Sequence, residues 1–241
     1  RDGKTVWATD RCSPGFIPGC LGHKGNPVHH FDAEGREIIS FGGGMFVWPH
    51  GIHVDRDGNV WVTDSRTASA ADLEKFPGEQ NKGSVVVKFS PDGKVLMTLG
   101  KLGVRGNPPE ALTDPTDVVT DPVNGDVYVA ESHTDVSDPN LIARISVFDK
   151  NGKFLRTIGK TGTGPGEFRT PHALEFDSQG RLIVADRHNH RPLSDAVHRG
   201  DQNRAPTVRL PNSRARLINR LSGHGAGIGN HCEMIPREAV T

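Results

Sequence analysis

Hydrophobic and polar positions alternate with a period of two through most of the first 190 residues, in short runs separated by polar turns. Val60 and Val62, or Ile183 and Ala185, fall on one side of such a run and polar neighbours on the other, the signature of half-buried strands. Asp57-Gly58, Asp92-Gly93 and Asn151-Gly152 sit where the chain must reverse, so each pair of runs predicts a β-hairpin. The hairpins are of two kinds. One reads PHGIHVDRDGNVWVTD at 49–64, PTDVVTDPVNGDVYVAE at 115–131 and PHALEFDSQGRLIVAD at 171–186, and its second half recurs as DGKTVWATD at 2–10. The other reads VHHFDAEGREIISFG, VVKFSPDGKVLMTLG and ISVFDKNGKFLRTIG, starting at 28, 86 and 145, which are 58 and 59 residues apart. The kinds alternate, so two hairpins make one four-stranded antiparallel unit. Repeated units of this type predict an all-β protein, a β-propeller with about three and a half blades in 1–190. A sandwich of unrelated hairpins would not require near-identical hairpins at a fixed period. Between the hairpins, 65–84 carries a predicted helical turn over Ala71–Phe76, and 101–114 is rich in Gly and Pro. Both are expected to crowd a propeller face, where substrate contacts usually lie.

Composition supports the strands. Only 34% of the 241 residues are hydrophobic, whereas Gly and Pro number 29 and 17. No apolar run approaches the roughly 18 residues of a membrane helix, so no membrane span is expected. Lys+Arg and Asp+Glu are equal at 29 each, which argues against a nucleic-acid partner. That balance conceals a division. Residues 1–190 hold 21 basic and 25 acidic side chains, and 191–241 hold 8 and 4, every base there being Arg. No aromatic residue follows Phe176. The segment 191–241 is therefore expected to be irregular, either an out-of-frame replacement of further blades or an Arg-rich extension. Because propellers close with about four to eight blades, the remaining blades are expected in a longer parent protein. Arg1 is no initiator Met, which fits a processed export signal. Cys12, Cys20 and Cys232 match no zinc pattern. Cys12 and Cys20 are read either as two free thiols or as a bridge in an oxidising compartment.

Candidate chemistry follows from the repeat. The first strand of a blade lines the central channel, and its opening residues are Pro49-His50, Pro115-Thr116 and Pro171-His172. His thus recurs in alternate blades. Three imidazoles with an open fourth position describe a catalytic zinc site. A third ligand two blades further on would lie past the end of the chain, so these 241 residues alone are expected to bind metal weakly or not at all. His53, His29, His30, His188 and His190 are weaker candidates, and His224 and His231 fall in the 191–241 segment. Neither HExxH nor GxSxG is present. Ile158-Gly159-Lys160-Thr161 lacks the upstream Gly of a phosphate loop, and Asp55-Arg56-Asp57-Gly58 lacks the downstream Glu of a calcium loop.

The runs WPHGIHVDRDGNVWVTD and GTGPGEFRTPHALEFDSQGRLIVADRHNHR resemble the NHL-repeat propellers, and among them the peptidyl-α-hydroxyglycine α-amidating lyase family. The resemblance covers about residues 1–191. It implies a six-bladed propeller, a catalytic zinc whose first two ligands match His50 and His172, and a third His in a later Pro-His-Asp segment without counterpart here. It also implies a catalytic Arg at Arg11, and a catalytic Tyr whose place is taken by His133, which would then act as the base. A calcium site is implied for the full-length parent. The implied reaction splits a carbinolamide C–N bond of a peptide or small-molecule substrate in the axial channel, giving an amide and glyoxylate. Two other expectations stand beside it: a non-catalytic NHL propeller that binds a peptide or protein, and a lactonase-like hydrolase with a metal held by Glu, Asp and Asn.

Overall fold

A computed structural model describes residues 4–12, 19–133, 137–195 and 208–209, the backbone alone for 191–195 and 208–209. The hairpins form as the alternation predicts. Strands β1 (Val6–Thr9), β2 (Val28–Phe31) and β3 (Glu37–Phe41) make a three-stranded antiparallel sheet. The next blade is β4 (Pro49–Val54), β5 (Val60–Asp64), β6 (Val85–Phe89) and β7 (Val95–Leu99), with α1 (Ala70–Lys75) between β5 and β6. The following blade is β8 (Pro115–Thr120), β9 (Val127–Glu131), β10 (Arg144–Phe148) and β11 (Phe154–Ile158). A short parallel pair, β12 (Lys160–Thr161) with β13 (Glu167–Phe168), leads into the last blade: β14 (Pro171–Phe176), β15 (Leu182–Asp186), β16 (Arg191–Asp195) and β17 (Val208–Arg209). These are blades of a β-propeller. The helical turn expected at Ala71–Phe76 appears as α1, capped by Ser69 and Asp72, each side chain receiving the other's backbone N–H.

The hairpin turns place Gly58, Gly93 and Gly152 at φ of 85–86°, a region that favours glycine. The core lies between successive blades. Val60, Val62, Val85, Val87 and Phe89 pack with Val28 and Phe41, whereas Trp61 and Val86 on the other face meet Val118, Val127 and Val129. The same arrangement sets Ile145 and Val147 against Phe168, Leu182 and Val184.

The acid that closes each first-type hairpin ties down the residues that lead into that hairpin's own first strand. Asp64 accepts the Val47 and Trp48 amides at 2.9 and 2.5 Å, and Asp186 those of Arg169 and Thr170 at 3.0 and 2.9 Å. Glu131 receives the Thr113 amide at 2.6 Å and is paired with Arg144. Burial pushes the Asp64 carboxyl up to about 7 against the opposing pull of its two amide donors.

At 191 the repeat text stops but strand pairing does not. Arg191–Asp195 pairs with β15 from Asp186↔Arg191 to Leu182↔Asp195, and Val208–Arg209 pairs with β16. A sheet edge needs only backbone N–H and C=O groups, so this extension requires no alternating side chains. The remainder of the 191–241 segment, with its expected irregularity, lies outside the described residues.

Candidate metal centre

The inner strands carry a local irregularity at the positions the repeat singled out. On β4, Pro49 faces Asp64 and Ile52 faces Val62, so His50 and Gly51 are spanned by the single residue Thr63. On β8 the register jumps between Pro115 and Asp117, and on β14 between Pro171 and Ala173. His50, Thr116 and His172 are thus the residues of three equivalent β-bulges. A bulge re-aims the side chain it carries.

Three imidazoles converge. The nearest nitrogens of His50, His133 and His172 all lie within 4.8 Å of one another. The His50 ring centroid is 4.7 Å from each of the other two, edge-on, and His133 and His172 are 6.0 Å apart. A third imidazole, that of His133, thus stands beside the pair singled out by the repeat. His133 arrives from a loop rather than a bulge. Glu131 closes β9, the Ser132 amide donates to Asp114 O (3.1 Å), and the Ser132 hydroxyl to Arg169 O (3.2 Å), which presents the next residue to the channel.

His50 Nδ1–H donates to the Thr116 carbonyl at 2.8 Å, which leaves Nε2 with its lone pair. A backbone carbonyl in that role is the usual outer support of a metal-ligating histidine. Burial first, then the neighbouring imidazoles, hold His50 down at about 2, and burial followed by the Arg187 charge holds His172 at about 4. His133 is lowered by burial and by Arg11. The cluster is therefore neutral at pH 7, the form in which nitrogen ligates. Three neutral nitrogens, the cluster holding no carboxylate among the described residues, could hold a metal ion.

Arg11 follows Asp10, whose carboxylate receives the Cys12 amide at 2.7 Å. Its guanidinium lies 4.6 Å from the Trp48 ring centroid, two residues from His50. Burial lowers its pKa, and its charge depresses all three histidines. The Cys12–Cys20 alternative resolves as a disulfide, with Cα atoms 4.9 Å apart, and Cys20 N–H in turn donates to Val47 O at 2.9 Å. This bridge fastens the Arg11 loop to the segment that leads into β4.

Arg187 was missed. It directly follows the closing acid Asp186, as Arg11 follows Asp10, and its charge acts on His172 and His133. The place just after the closing acid was a legible signal for Arg187, since Arg11 takes it too, whereas His133 stands two places after Glu131. The weaker histidines have other partners. His53 Nε2 lies 2.9 Å from the Thr120 hydroxyl, His188 Nδ1 is 2.7 Å from that of Thr170, His29 sits between Asp10 and Glu37, and His30 stacks on Trp7. His224 and His231 lie outside the described residues.

A family described as a six-bladed beta-propeller matches residues 118–193. Peptidyl-glycine alpha-amidating monooxygenase B of Xenopus laevis is 36% identical over 161 residues, covering 65% of this chain and 16% of that protein. This chain is built of β-propeller blades and is similar to amidating enzymes and NHL-repeat proteins. Peptidyl-alpha-hydroxyglycine alpha-amidating lyase 2 of Drosophila melanogaster is 31% identical over 174 residues, covering 70% of this chain and 36% of its own length. NHL repeat-containing protein 3 of Homo sapiens is 30% identical over 148 residues, with 59% and 38% covered. The lyase-like chain thus spans well under half the length of these relatives.

The neutral cluster predicts a pH dependence for the metal-free protein. In the unfolded chain histidine titrates near 6.5, whereas folded His50 and His172 accept protons only near 2 and 4. The unfolded state therefore takes up protons first as pH falls. The stability these residues confer is full above pH 6.5 and is lost progressively from there towards pH 4 and below. Urea midpoints at pH 7.5 and 5 should differ more in the wild type than in a His50→Ala/His172→Ala variant.

Proposed function

We propose that the chain carries the metal centre of a lyase that cleaves the C–N bond of a carbinolamide, releasing an amide and glyoxylate. The observation that carries this reading is the meeting of His50, His133 and His172 in a chain similar to amidating lyases. His50 and His172 would hold zinc from two alternate blades, and His133 would supply the third nitrogen. A nitrogen committed to the ion cannot serve as the base, so His133 takes the ligand role in place of the base role implied by family position. Zinc, when bound, supplies a Lewis acid for the α-hydroxyl or carboxylate oxygen of the substrate. Arg11 presents a planar fork to the hydroxyglycine carboxylate. Arg187, whose charge acts on His172 and His133, adds a second positive charge. Through the reaction the hydroxyl proton is lost, the C–N bond breaks and the amide nitrogen gains a proton, so no water is consumed. The substrate, a peptide or small molecule, enters along the axial channel.

The Cys12–Cys20 disulfide favours an oxidising compartment and therefore export. No helix among the described residues is long and apolar enough to cross a membrane.

The deciding measurement is metal analysis of the purified chain together with glyoxylate release from an α-hydroxyglycine peptide. About one zinc per chain and a glyoxylate signal that chelation abolishes are expected. A folded chain that takes up no zinc removes the lyase reading and leaves the binding-only propeller.

A further inference from the structure

His50 and His172 stand on β4 and β14, and β8 packs against both, so the middle blade sets their separation. We infer that its Thr116-Asp117 dipeptide is the positioning element of the histidine site; the inference rests on the metal reading above for its functional meaning. Thr116 is fully buried. Its carbonyl receives the His50 ring N–H at 2.8 Å and the Thr63 hydroxyl at 3.3 Å, while that hydroxyl oxygen accepts the Gly51 amide at 2.7 Å. The ring of His50 and the backbone beside it are thus fastened to one carbonyl group. On the opposite side, the Thr116 hydroxyl donates to Pro171 O at 2.7 Å, immediately before His172. Asp117 Oδ2 accepts the Leu174 amide at 2.8 Å, two residues after it. The dipeptide grips the bulge of β14 at both ends.

Space is shaped to the same purpose. A Cβ on Gly51 would lie 2.7 Å from both Thr116 O and Asp117 Oδ1, so β4 reaches the dipeptide only because glycine stands there. The equivalent positions in the three inner strands are Gly51, Asp117 and Ala173, one carboxylate between two small residues. The His-Thr-His order of the bulges follows: the outer two carry the nitrogen donors, and the middle one carries a residue that bonds sideways to both.

The test compares the wild type with Thr116→Val, which keeps shape and loses the hydroxyl, and Thr116→Ser, which keeps the hydroxyl. Zinc affinity is read by competition with a chromophoric chelator, and imidazole states in metal-free protein by long-range 1H–15N spectra. Thr116→Val should bind zinc about tenfold more weakly, the low end of outer-support effects, because the lost hydroxyl holds the backbone before His172 while the carbonyl on the His50 ring remains. Thr116→Ser should stay within about threefold of wild type, and the His172 ring signals should move in the valine variant alone. Wild-type affinity and unmoved His172 signals in Thr116→Val overturn the inference, as does an equal loss in Thr116→Ser. Should Thr116→Val fail to fold, Thr116→Ala is read by the same criteria. A wild type that binds no zinc defeats the metal reading, and the His172 signals then decide the positioning role by themselves.

Discussion

Replacing His133 with alanine should lower the affinity of the chain for zinc by about a hundredfold or more while leaving the propeller folded. The size follows from the energy of such centres. Four-ligand zinc sites bind with about 10–16 kcal/mol, so one ligand accounts for roughly 3 kcal/mol, or about two powers of ten. The fold should survive because His133 closes no strand and belongs to none of the apolar clusters between blades. Its ring contacts are the two other histidines. Chelator competition gives the affinity, and far-ultraviolet circular dichroism with the thermal midpoint gives the fold. His50→Ala and His172→Ala should do the same. If His133→Ala binds as tightly as the wild type while the other two do not, His133 is no ligand, and its family position as a base regains force.

The second large effect lies just outside the site. Arg144→Met should destabilise the protein by about 3–5 kcal/mol, because it strands the buried carboxylate of Glu131. That carboxylate is fully buried and receives Arg144 Nε and Nη2 at 3.0 and 2.8 Å, the Thr113 amide, and the Ser146 hydroxyl. Arg144 also donates to Gly106 O and Asn107 Oδ1, binding the 101–114 loop to the sheet. Pairing Arg144→Met with Glu131→Gln should recover most of the loss, since no unpaired charge then remains. Urea unfolding of the single and double variants checks the difference. A single variant within about 1 kcal/mol of wild type contradicts the assignment. Glu131 stands two residues before His133, so the single variant should also weaken zinc binding, and the double variant should restore it in part.

The propeller could be read from the chain because each hairpin declares itself locally: alternation in Val60–Asp64, a glycine turn at Gly58, and the same text again at 115–131 and 171–186. His50 and His172 were legible for the same reason, since both occupy one repeat position. His133 was legible only through its family place, which pointed to a base. The Ser132 amide bond to Asp114 O recurs in the other blades, as Ser65 to Trp48 and Arg187 to Thr170, but the Ser132 hydroxyl bond to Arg169 O reaches the segment before the next blade, a contact that no period encodes. Arg187 opens the short 3-10 turn after Asp186, at the repeat position that Arg11 holds after Asp10, and was legible there. The disulfide could not be decided from spacing, because a pair eight residues apart is bridged or free according to the path of the loop between. Strand β16 was invisible because its pairing uses backbone groups, and its side chains break the alternation.

The bulges of the inner strands make the channel wall addressable. The extra residue on β4, β8 and β14 is a property of the backbone and recurs whatever side chain it bears. Each blade therefore offers the axis one slot, and a single codon decides whether that slot holds a donor, a strut or nothing. The Thr116 slot also touches the sheets, because its hydroxyl is within hydrogen-bond reach of Pro171 O in the next blade and Ala130 O in its own.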